Sequence, residues 1–139
     1  MKNKLIIIFF IFSFYTKSLA ENILIEAKNI ILDKDNVTST FENEVIIKTR
    51  NKIIKSDFVK YNKKLGFLIL KDNIEVRDEK NNIIKSNKAE YFEKEEIFKS
   101  DGITTILNNE GYQIETENII FDNKKEIISS SSKTSIRDK

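Results

Sequence analysis

Along most of the chain, apolar and polar residues alternate with a period of two, as in Ile54/Ser56, Val59/Tyr61 and Ile74/Val76. That is the pattern of strands with one face turned inward, and the enrichment in isoleucine, valine and aromatic residues agrees with it. The alternation slips at a recurrent place: the step from Ser56 to Val59 is three residues, as it is from Ala27 to Ile30, Ser86 to Ala89 and Thr116 to Ile119. A bulge or bend at that point of every strand pair is predicted.

The slip recurs because the chain repeats. Ile25-Glu26-Ala27, Ile54-Lys55-Ser56, Ile84-Lys85-Ser86 and Ile114-Glu115-Thr116 share an isoleucine, a charge and a small residue, at spacings of 29, 30 and 30. A large residue follows seven positions after each isoleucine: Leu32, Tyr61, Tyr91 and Phe121. Val45, Ile74 and Ile103 recur at a strict 29, after Asn43-Glu44, Asp72-Asn73 and Asp101-Gly102. Polar clusters at 33–36, 62–64, 92–95 and 122–125 separate the first strand of each unit from its second, and others at 50–51, 79–82 and 108–111 separate the units. Repeats of this length must be recognised before any other motif, because they set the fold.

Each unit is therefore a hairpin that cannot keep its own apolar face dry, and stacking several of them solves that problem. The expected fold is all-β, a repeat-built antiparallel jelly-roll or solenoid with open ends. The inward set is Ile25, Ile54, Ile84 and Ile114; Leu32, Tyr61, Tyr91 and Phe121; and Val45, Ile74 and Ile103, with Val59 and Val76 completing the alternation. Small residues Ala27, Ser56, Ser86 and Thr116 beside the isoleucines leave two readings open, room for a ligand or close approach of the sheets. Open ends are templates for pairing with another chain. The fourth unit reads as incomplete, since Lys133-Thr134 stands where a branched apolar residue is due.

Composition narrows the chemistry. Residues 1–20 read as a cleavable export signal, with Lys2 and Lys4 before an apolar run from Leu5 to Tyr15 and the small-x-small site Ser18-Leu19-Ala20. Residues 21–139 are then the β-repeat domain. Cleavage removes Lys2, Lys4 and Lys17 and no acid, so 24 basic residues become 21 against 22 acidic ones, and the formal charge of +2 becomes −1. Basic and acidic residues are interspersed, which gives no footprint for nucleic acid. The chain has no Cys and no His, so thiolate chemistry, disulfides and the commonest general base and zinc ligand are absent. Asp33-Lys34-Asp35-Asn36 lacks the central Gly and distal Glu of a calcium loop and reads as a solvated turn. Neither an enzyme, a cofactor nor a metal site is expected.

The stretch Ile54-Lys55-Ser56-Asp57-Phe58-Val59-Lys60-Tyr61-Asn62, followed by Lys71-Asp72-Asn73-Ile74-Glu75-Val76, resembles the organic solvent tolerance A-like (OstA-like) domain, and the likeness extends over about residues 23 to 128. It departs from that pattern at the Gly-Asn-Val step, here Asn43-Glu44-Val45, Asp72-Asn73-Ile74 and Asp101-Gly102-Ile103. The resemblance implies a periplasmic protein of a Gram-negative cell, associated with the outer membrane. It implies a jelly-roll whose sheets splay to hold the acyl chains of lipid A, and transfer of lipopolysaccharide toward the outer membrane. Such domains form the soluble bridge of lipopolysaccharide transport and the amino-terminal part of the outer-membrane assembly protein, so the implied partners are lipopolysaccharide, other OstA-like domains joined end to end by strand pairing, and the outer-membrane assembly complex. The implied lining is Ile25, Ile54, Val59, Tyr61, Ile74, Val76, Ile84, Tyr91, Ile103, Ile114 and Phe121. The alternative is a structural or adhesive β-solenoid with no lipid ligand and an interior filled by side chains.

Overall fold

A computed structural model describes residues 23–34 and 37–138. The expected export signal, and Asp35 and Asn36 of the first turn, lie outside the described residues. Twelve strands follow in chain order: β1 Leu24–Glu26, β2 Asn29–Leu32, β3 Thr38–Lys48, β4 Lys52–Asn62, β5 Phe67–Asp78, β6 Ile83–Phe92, β7 Ile97–Ser100, β8 Ile103–Leu107, β9 Gln113–Glu117, β10 Ile120–Asp122, β11 Ile127–Ser129 and β12 Ser135–Arg137. All pairings are antiparallel. The fold is the expected all-β open jelly-roll, built from hairpins stacked in sequence order.

Strands β3 to β6 are long and each contributes to two leaves of sheet. One leaf runs β2, the first half of β3, the second half of β4, the first half of β5, the second half of β6, β7, β10 and β11. The other runs β1, then the complementary halves of β3 to β6, then β8, β9 and β12. Away from these four strands the chain breaks at the line between the leaves, so each outer strand belongs to one leaf alone. Strands β11 and β12 are such a divided pair, on β10 and β9 respectively.

The leaves meet where the register shifts. Asn43 and Glu44 of β3 lie opposite Asp57 alone, and Asp72 and Asn73 of β5 lie opposite Asn87 alone. Both residues of each pair have positive φ, 64° and 55° in the first and 63° and 50° in the second. Two left-handed residues in succession turn the strand sharply while leaving the alternation of faces intact, so Phe41 and Val45, and Leu70 and Ile74, point inward on either side of the bend. Asn and Asp accept this conformation with little strain, which explains how the step works without the glycine of the OstA-like pattern. The partner strands β4 and β6 spend one residue there, and this is the three-residue slip seen in the sequence.

The third step differs. Val45 pairs with Ser56 and Ile74 with Ser86, but the residue that pairs with Thr116 is Thr104, not Ile103. Thr104 is fully buried, whereas Ile103 is 74% exposed. The unit is one residue longer here, so the strict spacing of 29 misassigns the inward position. Gly102 has a φ of 88°, and Ile103 does not follow it into the left-handed region, which a β-branched side chain strongly disfavours. Leu32 is the other exception, on the expected face but 64% exposed rather than buried. Its strand β2 is an edge strand exposed along its whole length.

Hairpin turns within the units place one left-handed residue at a repeated position: Gly66, Glu96 and Glu126, with φ of 63°, 56° and 54°. A Cβ on Gly66 would meet Glu93 Oε2 at 3.4 Å, which is tolerable, so the effect of substitution is conformational. Gly66→Ala is expected to cost about 1 kcal/mol, and Glu126→Gly to gain a similar amount less its exposed ion pair with Lys80. Urea unfolding of the two variants should move the midpoint in opposite directions.

Candidate functional site

The inward faces of the two leaves form one contiguous apolar cluster. Ile54 and Val59 of β4, Ile74 and Val76 of β5, Ile84 and Tyr91 of β6 and Phe121 of β10 are buried in it. Val45 of β3 belongs to it too. Ile25, Tyr61 and Ile114 are half-buried and pack against it. Ile103, expected in the same row, faces solvent on the opposite side of its strand.

Several members were not singled out by the repeat: Ile47, Leu68, Leu70, Phe98 and Ile106 are buried as well. Leu68 and Leu70 sit in the run Phe67-Leu68-Ile69-Leu70, where every residue is apolar and period two cannot say which pair is inward. Counting back from Ile74 in steps of two would have found them. The side chains fill the space between the leaves, and the central residues Ile54, Val59, Leu68, Leu70 and Phe98 have no exposure at all.

The small residues beside the isoleucines have a role that neither expectation included. Ser56 Oγ donates to the carbonyls of Lys71 at 2.7 Å and Phe58 at 2.9 Å, and Ser86 Oγ donates to that of Lys88 at 3.0 Å. These are carbonyls at the register shift, where the regular ladder is interrupted. At the third bend Thr104 Oγ1 donates to Ser100 Oγ at 2.6 Å, and Ser100 Oγ accepts from the backbone N–H of Ile119 at 3.0 Å. Thr116 Oγ1 continues the row by donating to Ser130 Oγ at 2.9 Å. Hydroxyls thus line the vertex between the leaves. Outside it, Asp57 accepts from Asn73 Nδ2 at 2.6 Å.

The opposite margin, the lip where the leaves come together away from the vertex, is more polar. Tyr61 O–H donates to Glu93 Oε2 at 2.9 Å. Its phenol is pushed up to about 12, first by burial and then by the Glu93 carboxylate that accepts its proton and repels its ionised form. Lys52, at the start of β4, turns inward with Ile54 and Ser56. Only 4% of it is exposed. Its ammonium stands 5.3 Å from the Tyr91 ring centre and 5.1 Å from that of Phe121, both on the facing leaf.

These features define an LptA-type β-jelly-roll: two leaves joined along one bent line, apolar faces toward each other and both ends open. Among solved structures, the chain is similar to LptH, the LptA-homologous periplasmic component of the lipopolysaccharide transport device from Pseudomonas aeruginosa, with a TM-score of 0.71. The match covers 86% of this chain and 96% of LptH at 12% identity, so what the two share is the fold. No family model matches the chain, and no curated protein matches it.

Because the folded phenol of Tyr61 ionises above its ordinary value of 10.0, the stability it contributes is complete below pH 10.0 and is lost as pH rises toward about 12. Tyr61→Phe should remove this component of the alkaline loss. Denaturant unfolding across that range, with tyrosinate absorbance followed in parallel, checks it: the stability difference between wild type and variant should be constant below pH 10.0 and shrink only above it.

Proposed function

We propose that this chain is exported to the periplasm by a leader spanning residues 1–20 and there binds lipopolysaccharide and hands it on toward the outer membrane. The observation that carries the reading is the fold shared along nearly the whole of both chains with a periplasmic component of lipopolysaccharide transport. Acyl chains would lie between the leaves against Ile54, Val59, Ile74, Val76, Ile84, Tyr91 and Phe121, with Ile25, Tyr61 and Ile114 at the margins. Each methylene shielded there contributes ~0.8 kcal/mol, so affinity needs no specific polar contact. The leaves must part to admit a chain, and the vertex acts as the hinge line. Direction comes from elsewhere, since a slot with no energy source only equilibrates its ligand.

The two ends support the assembly part of the reading. Leu24, Ile30, Ile31 and Leu32 are exposed on β1 and β2 at one end, and Ile127, Ile128 and Ile136 on β11 and β12 at the other. Terminal strands with a free backbone edge and exposed apolar side chains suit strand pairing with another OstA-like domain, of a second copy or of the outer-membrane assembly complex. The filled interior is the one observation that favours the second reading, a structural or adhesive solenoid.

Photo-crosslinking in cells separates the two. A photoreactive residue at Ile54, Tyr61 or Ile74 should give lipopolysaccharide adducts, while Lys63 and the outward-facing Ile103 should not. Adducts at none of the three inward positions, in a folded and exported protein, would leave the solenoid as the correct reading. For the ends, Ile31→Lys and Ile128→Lys should each weaken concentration-dependent association in sedimentation while preserving the β signal in circular dichroism. Association unchanged in both variants would exclude pairing through β2 and β11.

A further inference from the structure

On the leaf that contains β2, β7, β10 and β11, the outward positions over β4 to β7 follow from their alternation with the buried ones. Lys60 of β4, Lys71 of β5, Lys88 of β6 and Lys99 of β7 all point away from the slot and are exposed, and one acid, Glu90, stands among them. Between the lysines lie Phe58, Phe67, Ile69, Phe92 and Ile97, each half-buried. Acids slightly outnumber bases over residues 21–139, and the signs are mixed along the sequence. Folding sorts them: taking every second residue of neighbouring strands collects these four positive charges and one negative on a single surface.

The register sharpens the contrast. Lys71 lies directly opposite Lys88, a like-charge pairing that destabilises a sheet. Lys71 and Lys99 rest over aromatic rings, Phe58 at 5.5 Å and Phe92 at 5.0 Å. None of the four lysines joins an ion pair among the described residues. The outer face of the other leaf is arranged the opposite way: Lys48 pairs with Glu26 at 2.9 Å, Arg77 and Lys85 flank Glu75 at 3.4 and 3.8 Å, and Arg137 pairs with Glu115 at 3.5 Å. A surface that has only to stay soluble is served by mixed signs, and that leaf has them. The uncompensated lysines of its neighbour call for an anionic partner.

The kind of anion follows from what lies between the charges. A row of Asn62, Phe67, Phe92 and Ile97 runs across the strands along the turn edge, with the Phe67 and Phe92 rings 5.0 Å apart. Beyond it, the turn between β4 and β5 carries Lys63 and Lys64, with Leu65 63% exposed beside them. Lysine offers a point charge on a long apolar stem, without the fork by which arginine fixes a carboxylate or phosphate in one geometry. Point charges beside an apolar row suit a fluid array of headgroups, where stems and rings settle at the boundary of the acyl region. We infer that this outer face docks the protein flat on an anionic phospholipid bilayer, with the turn between β4 and β5 dipping into the headgroup layer. The docking does not depend on what the slot between the leaves holds, and it turns the other leaf away from the membrane.

Co-sedimentation of the purified exported protein with vesicles of phosphatidylcholine, with and without phosphatidylglycerol, tests this. Wild type should pellet with the anionic vesicles and not with the neutral ones, and added salt should release it. Lys71→Gln with Lys88→Gln should lower the partition coefficient about fivefold per residue, on the order of twentyfold for the pair. Lys55→Gln with Lys85→Gln, an equal change of charge on the other leaf, should leave it nearly unchanged. The urea midpoint of the first pair should not fall, since a repulsion is removed. The chain has no cysteine, so Leu65→Cys can carry an environment-sensitive dye whose emission should shift to the blue on anionic vesicles, while the same dye on Ile53→Cys, on the other leaf, should not shift. Equal loss in the two glutamine pairs would mean diffuse attraction and overturn the assignment of this face. Binding to neutral and anionic vesicles alike would mean uptake by apolar contact alone, and would overturn it too. Should wild type bind no vesicle yet bind polyglutamate, and the Lys71, Lys88 pair lose that binding, the face belongs to an acidic protein and the membrane assignment falls, as it does if wild type binds neither.

Discussion

Where each long strand passes from one leaf to the other, its ladder of backbone hydrogen bonds is interrupted, and the carbonyls at the interruption face an apolar interior. A buried acceptor left without a donor costs about 1–3 kcal/mol, and the bend recurs in neighbouring strands along one line. Ser56 and Ser86 answer this by donating to the carbonyls of Lys71, Phe58 and Lys88. The rest of the architecture depends on that provision. Without a bent line whose polar groups are satisfied, the eight-strand leaves would lie flat in a single sheet, with one apolar face in water.

The bend also explains the division of labour among residues of one repeat. Positions before and after it form the walls, and they are branched or aromatic. Positions on it must be small and hydroxylated inside, left-handed outside. The third bend shows how strict these roles are. Ser100 and Thr104 replace the inward Leu70 and Ile74 of the unit before it, and the hydroxyl pair turns that part of the interior polar. The apolar wall is consequently strongest over β3 to β6 and thins toward β8 and β9.

Much of this was legible in the alternation of residues. The hairpin stack, the slip at Ser56/Val59 and Ser86/Ala89 and most of the inward row follow from period and spacing. Ile103 does not, because the unit gains one residue between Ile74 and Thr104, and a shift of one position exchanges the faces of a strand. Leu32 fails for a different reason: alternation records which face a side chain takes, but not whether anything covers it. Lys52 was passed over because of its charge, although it stands two residues before the inward Ile54. Its burial depends on two rings about forty and seventy residues further along, and no local pattern contains that information.

Every strand of the four-strand centre pairs with its neighbours in sequence, and the outer strands are attached to that centre a few residues at a time. A chain wired in this way does not have to bring its termini together before it gains stability. Folding can start at β4 and β5 and spread outward, with little loop-closure entropy lost at each addition. Reversed, the same order means that the terminal strands open at low free energy while the middle stays intact. The ends therefore open and close on a time scale far shorter than the lifetime of the folded molecule, so a terminal strand can leave its neighbour and return to it while the packed centre never unfolds.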